Sequence, residues 1–257
     1  MTSQNRVAVI RCEGLCKTFS IGGVQQHVLN NLDLEILQGD FTVIMGNSGS
    51  GKSTLLYALS GMDKPTLGKI VFAGEEISQY DNDKLAKFRR KHCGFLFQEV
   101  FLNDSMSIMD NVLAAGYLSG NPRKQVYADA CGYMEQVGIP SDMYRKFPSQ
   151  MSGGELQRVG LVRAIINRPD VVFADEPTGA LNSSNSVAVL DLINDVHAQG
   201  KSVVMVTHDL RSAARGNRVL YLKDGVILNE IALGSYRPEE EKERIETLKA
   251  FLDEMGW

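Results

Sequence analysis

The glycine-rich run Gly46-Asn47-Ser48-Gly49-Ser50-Gly51-Lys52-Ser53-Thr54 follows directly on the apolar, β-rich stretch Phe41-Thr42-Val43-Ile44-Met45. This order, strand then glycine loop then helix, constrains the fold more than any other feature of the chain. Glycines let a backbone curl until several N–H groups point inward, a cradle suited to a polyphosphate. Ser53-Thr54-Leu55-Leu56-Tyr57-Ala58-Leu59 reads as the following helix, and its first N–H groups and positive dipole end would face the phosphates. Lys52 is placed to reach the β- and γ-phosphates, and the Ser53 hydroxyl to hold Mg²⁺. A glycine-rich stretch alone is an ordinary turn. The flanking strand and helix decide for nucleotide, and Gly46 through Thr54 are the candidate segment that binds its phosphates.

Asp175-Glu176 follow the apolar run Val171-Val172-Phe173-Ala174, so two carboxylates stand at the C-terminal end of a buried strand, the edge where open α/β sheets bind ligands. Phosphoryl transfer needs one carboxylate for Mg²⁺ and a second group to orient and deprotonate the attacking water. Asp175 suits the first role and Glu176 the second. The bland alternative, an acidic pair capping a helix before Pro177, is weak behind such a loop. Gln98 ends the short run Gly94-Phe95-Leu96-Phe97, and His208 closes Val203-Val204-Met205-Val206-Thr207. A lone histidine is more often structural, but this one stands at a strand end; His27, His92 and His197 do not.

Continuous apolar runs are expected of parallel strands covered on both faces, and alternating strands and helices imply an α/β core around a parallel sheet. Before that core, Val7-Ala8-Val9-Ile10, Val28-Leu29 and the alternating Leu32, Leu34 and Ile36 read as strands, with Gly22-Gly23 as a turn. Between Leu102 and Pro148 the pattern changes to helices at Asp110 to Tyr117, Lys124 to Val137 and Asp142 to Lys146. Together with the helix after them, they form an inserted subdomain over about 99–165.

Composition removes several classes of function. No apolar run approaches the ~18–20 residues of a membrane helix, and Met1-Thr2-Ser3-Gln4-Asn5-Arg6 precedes no hydrophobic signal region. The expectation is a cytoplasmic chain whose membrane work needs another polypeptide. Cys12, Cys16, Cys93 and Cys131 have neither metal spacing nor a paired framework, which argues against zinc and redox chemistry. Seven acidic residues against three basic ones from Glu239 to Trp257 account for the whole net charge of −4. The balanced remainder argues against a nucleic-acid-binding face built on bulk charge.

Met151-Ser152-Gly153-Gly154-Glu155-Leu156-Gln157-Arg158 opens a helix running from Glu155 through Ile166. Ser and Gly are good N-cap residues, and the same geometry makes an anion site. This run resembles the signature sequence of the ATP-binding cassette (ABC) family, and the resemblance extends over almost the whole chain. It implies a P-loop NTPase fold of the ABC ATPase kind: a RecA-like parallel-sheet core, an N-terminal antiparallel β subdomain and the inserted helical subdomain. It also implies that Ser152, Gly153 and Gly154 meet the γ-phosphate of ATP bound to a second copy, in an ATP-sandwich homodimer. By the same resemblance Gln98 touches Mg²⁺ and the attacking water, His208 contacts the γ-phosphate, and Phe19, in Leu15-Cys16-Lys17-Thr18-Phe19, stacks on adenine. A tyrosine is usual at Phe19, leucine at Met151, glutamine at Glu155 and aspartate at Asn182. An ordinary core role is the alternative for Phe19.

Phe147-Pro148-Ser149-Gln150 and Ala174 through Leu181 look like the branch serving lipoprotein release, macrolide efflux and cell-division permeases. Gly46 through Gly51, Leu59-Ser60-Gly61-Met62-Asp63, Asn182 and Gly256-Trp257 look closer to ATPases of the bacitracin-resistance type. The resemblance implies an ATP-hydrolysing subunit at the inner face of the cell membrane, paired with a permease of FtsX-like type and serving antimicrobial peptide resistance. The alternative is an ATPase that moves a permease without small cargo. Residues 1–238 are expected to form the ATP-binding domain and 239–257 an amphipathic helix with an apolar stripe of Ile245, Leu248, Leu252 and Met255. That helix is expected to dock on its own domain or on the second copy.

Overall fold

The computed structural model describes residues 7–257; the segment Met1–Arg6, read above for a signal region, lies outside the described residues. The chain begins with a long hairpin, β1 (Ala8–Ile21) and β2 (Val24–Leu37), closed at Gly22-Gly23. It continues through β3 (Phe41–Met45), α1 (Lys52–Leu59), β4 (Leu67–Phe72), β5 (Glu75–Glu76), α2 (Asn82–His92) and β6 (Cys93–Phe97). Three helices follow: α3 (Ile108–Tyr117), α4 (Arg123–Gln136) and α5 (Gly153–Ile165). The chain then returns to the core with β7 (Val171–Asp175), α6 (Ser183–Ala198), β8 (Ser202–Val206), α7 (Leu210–Ala213), β9 (Arg218–Lys223) and β10 (Val226–Ala232), and finishes with α8 (Glu241–Glu254).

Two sheets result. One is antiparallel in the order β2-β1-β4-β5. The other runs β10-β9-β3-β8-β7-β6, parallel from β9 to β6, with β10 antiparallel on its edge. Its strands are apolar throughout because each face meets a different layer. Ile44, Phe173, Val204, Val206 and Leu220 pack with the antiparallel sheet and with Leu55 and Leu56 of α1. The alternate residues Val43, Met45, Val172, Ala174, Met205 and Tyr221 pack with α6 and α8. Register aligns the strand ends: Ile44 and Asp175 both lie opposite Val206. The loops after β3, β7 and β8 therefore leave the sheet side by side.

The helices α3, α4 and α5 form a separate cluster around Val112, Ala130, Met134, Val159 and Val162. The stretch expected to be helical over Asp142 to Lys146 is only a 3₁₀ turn at Ser141–Met143. Prolines 140 and 148 bracket it too closely for a stable α-nucleus. Its carbonyls also serve α3, Tyr144 and Lys146 accepting from Met109 and Ile108 N–H.

At the C-terminus a 3₁₀ turn (Pro238–Glu240) leads into α8. Leu248 and Leu252 are fully buried and Phe251 nearly so, in the cluster beneath the parallel sheet, with Ile245 and Met255 at its margin. Burying such side chains stabilises by about 1.5–3 kcal/mol each.

Candidate functional site

Gly46 starts the loop after β3 where the backbone passes too close for any side chain: a Cβ would lie 2.1 Å from the Leu222 carbonyl oxygen and 2.8 Å from Ser50 Oγ. Gly51, at φ 100°, precedes α1 and lies against the Val28 carbonyl of the hairpin. Unlike α2, α3, α5 and α6, which are capped by Asp81, Ser107, Ser152 and Asn182, α1 has no capping side chain and no acid in its first turn. Its first N–H groups thus lack the usual acceptor. Lys52 spans the loop, its Nζ donating to the carbonyls of Gly46 (2.8 Å) and Asn47 (2.9 Å). Desolvation lowers the Lys52 pKa against the opposing pull of Glu176 and Asp175. Ser50 Oγ is buried without a hydrogen-bond partner. Uncapped donors, an orphaned hydroxyl and a partly desolvated ammonium fit a polyanion.

Asp175, at the end of β7, accepts from Ser53 Oγ at 2.9 Å and from Tyr57 OH at 2.7 Å. Burial and this hydrogen bond raise the Tyr57 pKa to about 12, so Tyr57 remains a donor. The Ser53 hydroxyl and the Asp175 carboxylate form a pair of oxygen donors. Among the described residues no cluster of three or more His, Cys, Asp or Glu side chains could hold a metal. Ser53 and Asp175 offer the kind of oxygens that Mg²⁺ takes one or two of from protein, water and phosphate completing its shell.

The neighbouring residue, Glu176, has φ 47°, a left-handed backbone costing about 1–2 kcal/mol for a residue with a Cβ. It is held there by its N–H to the Val206 carbonyl and by Gly179 N–H to its own carbonyl. Its carboxylate accepts from Thr207 Oγ1 at 3.3 Å and lies 2.9 Å from His208 Nδ1. Gln98 is exposed and rests against Gly179, where a Cβ would meet its Nε2 at 3.0 Å. The ends of β6, β7 and β8 thus bring Gln98, Asp175, Glu176 and His208 into one neighbourhood.

Ser152 and the glycines after it stand at the start of α5. Ser152 Oγ accepts from Glu155 N–H and donates to Glu155 Oε2 (2.8 Å), which also accepts from Ser152 N–H (2.7 Å). These bonds hold the Glu155 carboxyl below the ordinary glutamate range. Gly153 is exposed, whereas Gly154 is buried against Asn185. Asn182 caps α6 by accepting from Asn185 N–H at 3.0 Å, a task that needs an acceptor but no charge. Phe19, on β1, is 37% exposed with Lys17 Nζ 4.8 Å from its ring centroid; it is not a core residue.

Four further residues support the site. Tyr57 and Thr207 touch the two carboxylates; Tyr57 lies four residues after Ser53, one helical turn along the same face. Gln157 is buried, its Nε2 donating to the carbonyls of Phe97 (2.9 Å), Gln98 (3.3 Å) and Pro177 (2.7 Å). Arg163 donates to the Val100 and Phe101 carbonyls. Both reach from α5 to the loop after β6, and nothing in their sequence spacing signals it.

The ABC transporter family model matches residues 29–179. The lipoprotein-releasing system ATP-binding protein LolD of Shewanella sp. (strain MR-4) is 39% identical over 220 residues, 85% of this chain and 95% of LolD. The macrolide export ATP-binding/permease protein MacB of Rhodopseudomonas palustris (strain BisB18) is 40% identical over 231 residues, 90% of this chain. The chain spans only 35% of that MacB's length. Among solved structures, the dimeric bacterial ABC transporter cassette MJ0796 superposes with a TM-score of 0.82 at 34% identity, covering 88% of this chain and all of that one. A second structure of the same cassette, described as a post-hydrolysis state bound to ADP and Pi, has a TM-score of 0.79. By its matched residues and by its fold, this chain belongs to the ABC transporter family, as an ATPase cassette.

Proposed function

We propose that the chain is the ATP-hydrolysing subunit of a bacterial transport complex whose permease, of FtsX-like type, is a separate polypeptide, and that it serves resistance to antimicrobial peptides. The observation that carries the chemistry is Glu176, held between Thr207 and His208 and one residue from the Asp175 that binds Ser53. Lys52 and the N–H groups of the loop bind the β- and γ-phosphates. Ser53, Asp175 and Gln98 would hold Mg²⁺, which when bound neutralises charge on the phosphate oxygens. Glu176 takes the proton of the attacking water, and His208 steadies Glu176 and faces the γ-phosphate. Phe19 offers adenine a π face.

A second copy supplies Ser152, Gly153 and Gly154, so that nucleotide joins two chains. The dimeric cassette structures and the naming of relatives as ATP-binding components or ATP-binding/permease proteins support this assembly. No helix among the described residues is long and apolar enough to cross a membrane, which is consistent with a peripheral place on the inner face.

Glu176→Gln tests the chemistry. ATP binding should persist while turnover falls by about 10²–10⁴-fold; turnover near the wild-type rate would remove Glu176 as the base. Co-purification identifies the permease, and a transport assay with bacitracin-class peptides tests the cargo. Absence of peptide movement with ATP turnover intact would favour the alternative, a permease driven without cargo.

A further inference from the structure

We propose that α8 positions the switch histidine: Arg244 and Glu241 hold α7, the turn that follows His208, so that His208 stays on Glu176. The inference rests on the roles given above to those two residues.

A four-residue helix cannot support itself, since a helix that short is all termini. At its start, Asp209 caps α7 by accepting from Ser212 N–H and Oγ. At its end, the chain's own N–H groups satisfy the carbonyls of Leu210, Ser212 and Ala213. The carbonyls of Ala214 and Gly216 are taken instead by Arg244, from Nε at 2.8 Å and Nη2 at 2.6 Å. The same guanidinium donates to Leu233, Gly234 and Ser235, the segment leading into the tail. Arg244 is 5% exposed. Its hydrogen bonds run to main-chain oxygens, its guanidinium lies 5.6 Å from the Tyr236 ring centroid, and desolvation lowers its pKa. Burying a guanidinium is costly, and a planar fork that meets so many carbonyls at once is a task for arginine alone.

A second link runs parallel to the first. Arg215, directly after α7, is 4% exposed and pairs with Asp191 of α6 at 2.5 Å and with Glu241 at 3.8 Å. It lies 4.4 Å over the Tyr236 ring, whose hydroxyl donates to Glu241 at 2.9 Å. Glu241 lines the same cavity, about 490 Å³, as Glu176, Gly179 and His208. The tail therefore borders the cavity that holds Glu176 and His208, beside a turn too short to fix itself.

Arg244→Lys in the full chain keeps the charge and loses the fork. Turnover should fall at least fivefold, with ATP affinity and KM within twofold. Amide exchange should quicken at residues 207–216 and stay unchanged at 46–54. Glu241→Gln, at a half-buried position, should give the same pattern at two- to threefold, and it carries the test if Arg244→Lys does not fold. A lowered melting temperature with unchanged turnover and unchanged exchange at 207–216 would make α8 a structural brace only and overturn the proposal. Glu176→Gln, assayed in parallel, separates the two levels. Turnover lost there but kept in Arg244→Lys overturns the positioning role. Turnover kept in Glu176→Gln overturns the reading beneath it.

Discussion

Two helices begin on glycines, and they begin differently. The start of α1 has no side-chain cap, no acid and a backbone path closed to any Cβ at Gly46. The start of α5 is finished within its own chain by the reciprocal bonds of Ser152 and Glu155. Glycine at the first is a condition of folding. At Gly153 it is not, because an added Cβ would meet only a Leu181 methyl carbon at an ordinary 3.5 Å. The comparison separates a glycine that the chain's own packing requires, Gly46, from one that it does not, Gly153.

Gly46→Ala should break the α1 side outright. Overpacking against backbone costs about 1–3 kcal/mol, and the ATP-induced rise in melting temperature should vanish; a variant that still binds ATP would show that the close approach to Leu222 is not needed. Gly153→Ala should keep stability within about 0.5 kcal/mol, yet abolish ATP-dependent dimerisation of a Glu176→Gln chain in sedimentation. Dimerisation that survives would erase the distinction drawn here. Ser152→Ala should lose about 1 kcal/mol of stability with its cap, measured by urea unfolding. Smallest is the effect of acid. The folded pKa of Glu155 is lowered from 4.5, so its contribution is complete above that value and is lost as pH falls through the lower folded one. The stability gap between the parent chain and Glu155→Gln should therefore shrink on acidification, and a gap independent of pH would refute the charge-assisted cap.

Legibility followed the same division. The loop after β3 and the carboxylates at the end of β7 could be placed because a glycine run between a strand and a helix, and an apolar run ending in two acids, each fix a position in an α/β fold. The two faces of the parallel sheet were foreseeable for the same reason. By contrast α2 went unread, because its eleven residues include three basic ones in a row, Arg89-Arg90-Lys91, and its buried side chains are Leu85, Phe88 and His92. The interruption between Pro140 and Pro148 was misread as helix because local pattern does not show that Tyr144 and Lys146 carbonyls are committed to α3. In the tail, the apolar stripe at Ile245, Leu248 and Leu252 could be read, but nothing in the spacing singles out Arg244 among the charged residues around it. Gln157 and Arg163 were invisible for a related cause: their partners are distant carbonyl oxygens, and every residue has one.

The place of β3 in its sheet has a consequence for biosynthesis. The strand that leads into the nucleotide loop is made early, yet its neighbours are β8 and β9, near the far end of the chain. Roughly 180 residues separate Met45 from the end of β9, which at about 5–20 residues per second is on the order of 10–35 s of translation. Until β8 is made β3 has neither partner, and until β9 is made it has only one; the hairpin of β1 and β2 with β4 can pair locally from early on. The nascent chain therefore has no finished nucleotide loop until β9 has been made, and a ribosome stalled before β9 holds a cassette that ATP cannot yet stabilise.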